Sequence, residues 1–341
     1  MAASVTLSGR RALRCGRHGP GLDLLSSASI GRPNFDRQRN QSWSNFNKVV
    51  SKDQRTTRRS SLRRWAVAVK RWKRRIKPNE LQWSDDHHLR VGNANFLVTL
   101  DPHAGETVDP ESDEFVLLKN RGMIERLRRV APKSVGNIVD LGIFKGGSVA
   151  LYQELFSPRR IVGIDWSSDR VEALDRFIAR HALHDDVRLY YQTSQGDQER
   201  LSWIVQENFG DQPLDLVIDD CSHMYEMTKS SLNLLLPRIR EGGLYVIEDW
   251  GWAHWPDEYW QGPAHEMVDE GTSLSKLILE LVMVVASRPG LISELTVRPG
   301  VVFLTRGEEL ISSEQFDISK CYVTGGRQML FEGGTQVKAD I

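Results

Sequence analysis

Asn137-Ile138-Val139-Asp140-Leu141-Gly142-Ile143-Phe144-Lys145-Gly146-Gly147-Ser148 is the stretch on which the fold turns. Its first five residues form a short apolar run of the kind that makes a buried parallel strand. Val149-Ala150-Leu151-Tyr152-Gln153-Glu154-Leu155-Phe156 follows with helical character. Strand, glycine turn and helix open the nucleotide-binding half of a doubly wound fold, because glycines let the backbone approach a ligand at a helix N-terminus. The next apolar run, Arg160-Ile161-Val162-Gly163-Ile164, ends in Asp165, where a carboxylate can take both hydroxyls of a ribose. The spacing is Asp-x-Gly-x-x-x-Gly-Gly, not Gly-x-Gly-x-x-Gly, which points away from a dinucleotide and towards S-adenosylmethionine. Asp140, Gly142, Gly146, Gly147, Ser148 and Asp165 are therefore the cofactor-binding candidates.

Two further apolar runs end in acids. Leu214-Asp215-Leu216-Val217-Ile218 leads into Asp219-Asp220-Cys221-Ser222-His223, and Gly242-Gly243-Leu244-Tyr245-Val246-Ile247 leads into Glu248-Asp249. Ligands of an open α/β sheet gather at the carboxyl ends of its strands. Four like charges in a partly dry crevice require a cation or a large pKa penalty. A hard divalent metal is the simplest resolution.

Outside these strands the chain divides by charge. The 341 residues sum to zero, but residues 1–77 carry +17 and the remainder −17. The first 60 are rich in Arg, Ser, Gly and Asn without a sustained period, the composition of a disordered extension. Their Arg- and Ser-bearing, acid-poor opening also has the composition of a mitochondrial transit peptide, although an unstructured basic extension is the plainer reading. Leu62, Trp65, Val69, Trp72 and Ile76 then line one helical face, flanked by Arg63, Arg64, Lys70, Arg71, Lys73, Arg74 and Arg75. A basic helix of this kind over 62–76 can lie on an anionic membrane surface or dock on the acidic body of the same chain. No nucleic-acid-binding module accompanies the charge, so no specific nucleic-acid partner is expected. Cys15, Cys221 and Cys321 give neither a disulfide framework nor a Cys-x-x-Cys pair, which fits a reducing cytoplasm. No apolar run is long enough to span a membrane.

From about Glu111 strands and helices alternate. Glu114 to Val130 reads as an opening helix. Strands are expected near 137–142, 160–165, 187–192, 214–219 and 242–248, with helices near 147–156, 168–182, 197–208 and 224–236 between them. Trp250, Trp252, Trp255 and Trp260 then crowd one loop, a helix follows near 273–286, and 292–297 with 301–305 form a hairpin. The expected fold is α/β, a doubly wound Rossmann-like sheet, mostly parallel, closed by that C-terminal antiparallel hairpin. The expected organisation is a disordered basic extension (1–60), a basic amphipathic helix (61–78), a linker (79–110), the cofactor-binding domain (111–310) and a tail (311–341).

Asp-x-Gly-x-x-x-Gly-Gly-Ser after the first strand resembles the class I S-adenosylmethionine-dependent methyltransferases, whose sheet has seven strands. Ile218-Asp219-Asp220-x-Ser222-His223, Pro237-x-x-x-x-Gly242-Gly243 and Tyr245-Val246-Ile247-Glu248-Asp249 narrow the resemblance. Together they look like the metal-dependent O-methyltransferases of antibiotic and glycolipid tailoring. That group holds macrocin, mycinamicin and rhamnosyl O-methyltransferases and the cephalosporin hydroxylase-like proteins, and the resemblance covers roughly residues 111–306. It implies Asp220, Glu248 and Asp249 as ligands of Mg²⁺ or Mn²⁺, and His223, with Asp220, as the catalytic pair. It also implies Gly142, Gly146, Gly147 and Asp165 as the cofactor cradle. Thr193-Ser194-Gln195 stands where the family usually has Gly-Asp-Gln, which leaves Ser194 to meet the adenine edge. Cys221 stands where it usually has Gly.

The chemistry suits these residue types. Methyl transfer from a sulfonium is an in-line displacement in which positioning supplies much of the catalysis. Oxygen ligands favour Mg²⁺ over Zn²⁺, and a bound divalent ion stabilises a developing alkoxide while a histidine takes the proton. The expected partner is a small-molecule hydroxyl acceptor: a sugar, a glycolipid or a secondary metabolite. Plainer readings stand beside these. Asp219 can orient loop amides or the cofactor amine, His223 can cap the helix starting near Met224, and Cys221 is a packing residue. The tryptophans can pack a lid or present a platform to a sugar. An oxidoreductase of the hydroxylase type and a non-catalytic cofactor-binding protein are the alternative functions, and self-association into a homo-oligomer stays open.

Overall fold

A computed structural model describes residues 79–104, 113–256, 260, 271–312 and 316–327. The expected extension (1–60), the amphipathic helix (61–78) and the end of the tail lie outside them.

Two sheets organise the described residues. The larger contains β5 (Asn137–Leu141), β6 (Arg160–Ile164), β7 (Val187–Tyr190), β8 (Leu214–Asp219), β9 (Ile239–Glu248), β10 (Ile292–Arg298) and β11 (Val301–Arg306). Their order is β10-β11-β9-β8-β5-β6-β7. All neighbours from β9 to β7 pair in parallel, while β11 is antiparallel to both β9 and β10. The seven-stranded, mostly parallel sheet with its terminal hairpin is thus the expected doubly wound fold. All five residues of β5 are buried, because helices cover both faces of the sheet. One apolar cluster fills each side, the first around Ile138, Leu151 and Phe177, the second around Val139, Leu232 and Leu281.

The helices are α1 (Arg121–Val130), α2 (Gly147–Phe156), α3 (Glu172–Arg180), α4 (Gln198–Phe209), α5 (Tyr225–Leu235) and α6 (Ser275–Ser287). None among the described residues is long and apolar enough to cross a membrane. Asp197 begins α4 with its side chain accepting from the Arg200 amide at 3.0 Å, an N-cap that fixes the helix start.

The N-terminal part departs from expectation. Residues 79–110, read as a linker, contribute β1 (Gln82–Trp83), β2 (His88–Val91) and β3 (Ala94–Thr99). Residues 114–130, read as one helix, divide into β4 (Glu114–Leu118) and α1. β4 joins β3 in parallel, completing a four-stranded sheet in the order β1-β2-β3-β4. Asn120 ends the strand and begins the helix, its side chain accepting from the Met123 amide at 3.0 Å. The small sheet buries Leu89, Val91, Phe96, Val98, Phe115 and Leu117 in the first apolar cluster. α2 lies against it and is buried along all ten residues. Its Glu154 accepts from the Asn93 amide at 2.9 Å.

Candidate active site

β5 lies between β6 and β8, the place where the chain's progression along the sheet reverses direction and where a crevice opens beyond the strand ends. The glycine turn fills one side of that crevice. Gly142 adopts φ +103°, and a Cβ there would overlap the backbone carbonyl of Asp220. The turn and the Asp220 loop therefore touch through bare backbone. Gly146, at φ +81°, starts α2. Gly147 faces the carbonyl of Val116, so its missing side chain admits β4.

Asp165 holds the turn from the far side. Its Oδ2 accepts from the Ile143 and Phe144 amides, both at 2.9 Å, and its Oδ1 from the Ser167 amide at 2.9 Å. Each carboxylate oxygen can accept two hydrogen bonds, so Oδ1 keeps one lone pair for a ligand. Asp140 is fully buried beneath the turn. Ser148 donates to its Oδ2 at 2.7 Å, while Oδ1 has no hydrogen-bond partner. Burial raises this carboxyl to about 7. An orphaned acceptor under a glycine turn suits a donor on a bound ligand.

The other two cofactor candidates are Asp219, paired with Leu141 at the end of β8, and Ser194. Asp219 is buried in a closed network, accepting from Gln195 Nε2 (2.5 Å), Ser231 Oγ (2.8 Å) and Tyr245 OH (2.6 Å). Gln195 Oε1 in turn accepts from the Ser222 amide (3.2 Å) and hydroxyl (2.7 Å). Through Gln195, Asp219 is thus linked to the loop that carries Asp220 and His223. Ser194 is exposed, accepts from the Gly196 amide at 3.2 Å, and lines an open cavity of about 530 Å³ with Gln198, Met227 and Ser230.

The remaining acids meet at the ends of β8 and β9. Asp220, His223 and Asp249 each place one ligand atom within 4.8 Å of the others, a spacing that could hold a metal ion. Glu248, the third expected ligand, is turned to Lys119. The Lys119 ammonium lies 2.5 Å from Glu248 Oε2 and 2.9 Å from Asp220 Oδ2, with all three residues in the wall of the site. Burial alone would raise Asp220, but Lys119 and His223 outweigh it and hold its pKa below the ordinary range. Glu248 rises to about 8 by burial and the neighbouring acids, against the pull of Lys119. Asp249 rises to about 7 by burial and Asp220. Carboxylates pushed up in this way gain from an added cation, and the oxygen-rich donor set fits a hard one.

His223 and Asp249 both adopt left-handed backbone, at φ +56° and +53°. Such strain in non-glycine residues gathers where surrounding structure fixes a side chain for a task. His223 Nδ1 lies 3.3 Å from the Glu248 carbonyl, which can only accept, so the proton sits on Nδ1 and the lone pair on Nε2. Burial lowers the pKa of the imidazole below its ordinary 6.5 despite the pull of Asp220. The Asp249 amide donates to Gly300 O at 2.7 Å, tying the site to the β10–β11 turn.

The tryptophan loop packs over the histidine. The rings of His223 and Trp252 have centroids 4.1 Å apart, and Trp260 lies 4.5 Å from Trp252 and 4.8 Å from Trp255. Cys221 packs beside the second apolar cluster, and burial pushes its thiol well up, which fits a packing role. Lys119 was absent from the sequence reading. It is a lone lysine after an apolar run, and nothing local marks it, since its partners lie more than a hundred residues away.

Residues 139–250 match a family described as a methyltransferase domain. The chain is 34% identical over 134 residues to mycinamicin VI 2''-O-methyltransferase of Micromonospora griseorubida, covering 39% of this chain and 29% of that protein. It is 34% identical over 111 residues to demethylmacrocin O-methyltransferase of Streptomyces fradiae, covering 33% of this chain and 25% of that protein. Among solved structures, the MycE methyltransferase from the mycinamycin biosynthetic pathway, in complex with Mg and SAH, is similar over 56% of this chain and 50% of that one. Its identity is 27% and its TM-score 0.41. The matches span no more than half the length of any of these three proteins.

Proposed function

Since residues 139–250 form a class I S-adenosylmethionine-dependent methyltransferase domain of the group containing the macrocin and mycinamicin enzymes, we propose that the chain is a divalent-metal-dependent O-methyltransferase. Its acceptor is a small molecule bearing a hydroxyl. One observation carries this reading: the glycine turn at Gly142 touches the very loop that presents Asp220 and His223. Cofactor crevice and acid cluster are thereby neighbours at one sheet edge.

The residues divide the work. Asp165 receives the ribose on its spare Oδ1 lone pair, and Asp140, buried beneath the glycine turn, supports that turn through Ser148. Asp220 and Asp249 hold Mg²⁺ or Mn²⁺. A divalent ion there supplies orientation of acceptor oxygens and stabilisation of negative charge on them. His223 Nε2 would take the proton of the acceptor hydroxyl, and the Glu248 carbonyl on Nδ1 fixes its tautomer. Trp252 packs against the imidazole with its ring tilted by 47°.

Calorimetry tests the cofactor assignment. S-adenosylmethionine should bind and NADPH should not, and Asp165→Ala should weaken the former at least about tenfold, the loss of one or two hydrogen bonds to a charged group. Unchanged affinity in the variant removes Asp165 from the site, and NADPH binding would favour an oxidoreductase instead. Chelation with EDTA should abolish transfer of labelled methyl to acceptors and Mg²⁺ should restore it; full transfer after exhaustive chelation contradicts the metal requirement.

A further inference from the structure

β10 is the outermost strand of the seven-stranded sheet, and among the described residues it pairs only with β11. Arg298 and Val301 face each other across the two-residue turn Pro299-Gly300, so they form the first hydrogen-bonded pair of the hairpin. Hydrogen bonding alternates along an antiparallel ladder, which turns the N–H and C=O groups of Leu295 and Val297 to the open side. Sheet edges are commonly blunted by lysine, proline or a bulge. The register irregularity of β10 lies between Ile292 and Glu294, and residues 294–298 form a regular strand with neither lysine nor proline.

An apolar helix surface adjoins this edge. α6 packs on β10, and on its inner flank Glu280 accepts from the Tyr225 hydroxyl of α5 at 3.1 Å. With 3.6 residues per turn, Val282 lies roughly 160° round the helix from Glu280, on the flank away from α5. Leu279, Val282, Met283 and Ala286 share that outer surface at helical spacing, Leu279 being 40% and Val282 46% exposed.

We propose that the β10 edge and the outer flank of α6 form the interface of a two-fold homodimer, in which β10 pairs antiparallel with the β10 of a second copy about Thr296. Three features of the strand fit a copy of itself. First, this two-fold sets Leu295 opposite the partner's Val297. These are the residues whose backbone groups point outward, so each such pair exchanges both of its hydrogen bonds. Second, the same axis sets Glu294 opposite the partner's Arg298, and Arg298 opposite the partner's Glu294, so the edge is complementary in charge to itself. An axis at Leu295 instead would set Glu294 opposite the partner's Thr296 and form no ion pair. Third, Leu295 packs against the apolar cluster that holds Leu281 and Val284 of α6, and the pleat places Val297, 41% exposed, on that same face. The apolar side of the joined edges is therefore the α6 side, and the helix stripe meets its symmetry equivalent. The dimer also steadies the active site, because the β10–β11 turn accepts from the Asp249 amide at Gly300 O and from the Trp250 indole at Arg298 O.

Sedimentation velocity on the full chain over a concentration series tests this by reading the dimer Kd. Wild type should dimerise. Glu294→Arg and Arg298→Glu each set like charges opposite one another at both ends of the pairing and should raise the Kd at least about tenfold. Glu294→Arg/Arg298→Glu restores both ion pairs with their signs exchanged and should return the Kd to within about threefold of wild type. Both side chains are exposed, so the fold should tolerate the exchange. Val282→Lys, on the helix flank, brings two ammonium groups into the interface by symmetry and should also raise the Kd at least about tenfold. It decides the matter if a strand variant does not fold. A wild-type chain that stays monomeric overturns the proposal, whether its edge is bare or covered by another segment or a foreign protein. A dimer that Val282→Lys leaves unchanged overturns it as well, since the interface then lies elsewhere. So does a double variant no tighter than the single strand variants, because the pairing about Thr296 is then wrong.

Discussion

His223→Asn lowers methyl transfer by about 10²–10⁴-fold, the usual worth of a positioned general base. Asparagine is the informative replacement because position 223 has φ +56°, and Asn tolerates left-handed backbone better than Ala. The loop carrying Asp220 should then keep its shape. S-adenosylmethionine affinity should stay within about twofold of wild type, since the imidazole meets the acceptor side of the site. The acid limb of the wild-type pH–rate profile should fall below pH 6.5: burial lowers the His223 pKa, and the base works only when neutral. Label transfer to a panel of glycosylated acceptors measures both quantities. A variant that retains full turnover leaves His223 with a packing role against Trp252 only, since no side chain caps α5.

Gly142→Ala should damage both stability and cofactor binding. The residue has φ +103°, and the added Cβ would overlap the Asp220 carbonyl, a backbone atom that cannot rotate aside. Left-handed strain and overpacking each cost about 1–3 kcal/mol, so a loss on the order of 3 kcal/mol in urea unfolding is expected. The displaced Asp220 loop should also weaken S-adenosylmethionine binding at least about tenfold, a loss near 1.4 kcal/mol. Gly196→Ala is the control. Its Cβ would meet Met227 Cγ at 3.6 Å, an ordinary contact, so stability should change by less than about 0.5 kcal/mol. Equal stabilities for the two variants would mean that the turn and the Asp220 loop do not touch as described.

The sheet was legible because its strands are short apolar runs bounded by glycine, proline or acids. The expected 147–156 helix and 214–219 strand coincide with α2 and β8. Chain ends of strands could be read as site positions for the same reason, which brought out Asp165, Asp220, Glu248 and Asp249. The small sheet was missed where a signal existed. Leu89 and Val91, then Ala94, Phe96 and Val98, alternate with exposed or half-buried residues across a Gly92-Asn93 connection, which is a hairpin pattern. The run Glu114–Leu118 reads as part of the following helix because its apolar residues lead into the apolar face of Ile124 and Leu127, although Asn120 separates the two as a cap. Side-chain partners were beyond reach. Asp219 and Asp220 are adjacent in sequence, yet one closes a buried network with Gln195, Ser231 and Tyr245 while the other faces Lys119 and His223. Only strand pleat, which turns successive side chains to opposite faces, distinguishes them.

Crystals grown with S-adenosylhomocysteine and Mn²⁺ test the central claim most directly, through anomalous diffraction at the manganese edge. The account predicts one strong peak within ligand distance of both Asp220 and Asp249, with the nucleoside over Gly142 and its ribose on Asp165. A cofactor bound without any peak at that cluster, or a peak at other residues, would contradict metal-dependent methyl transfer at this site.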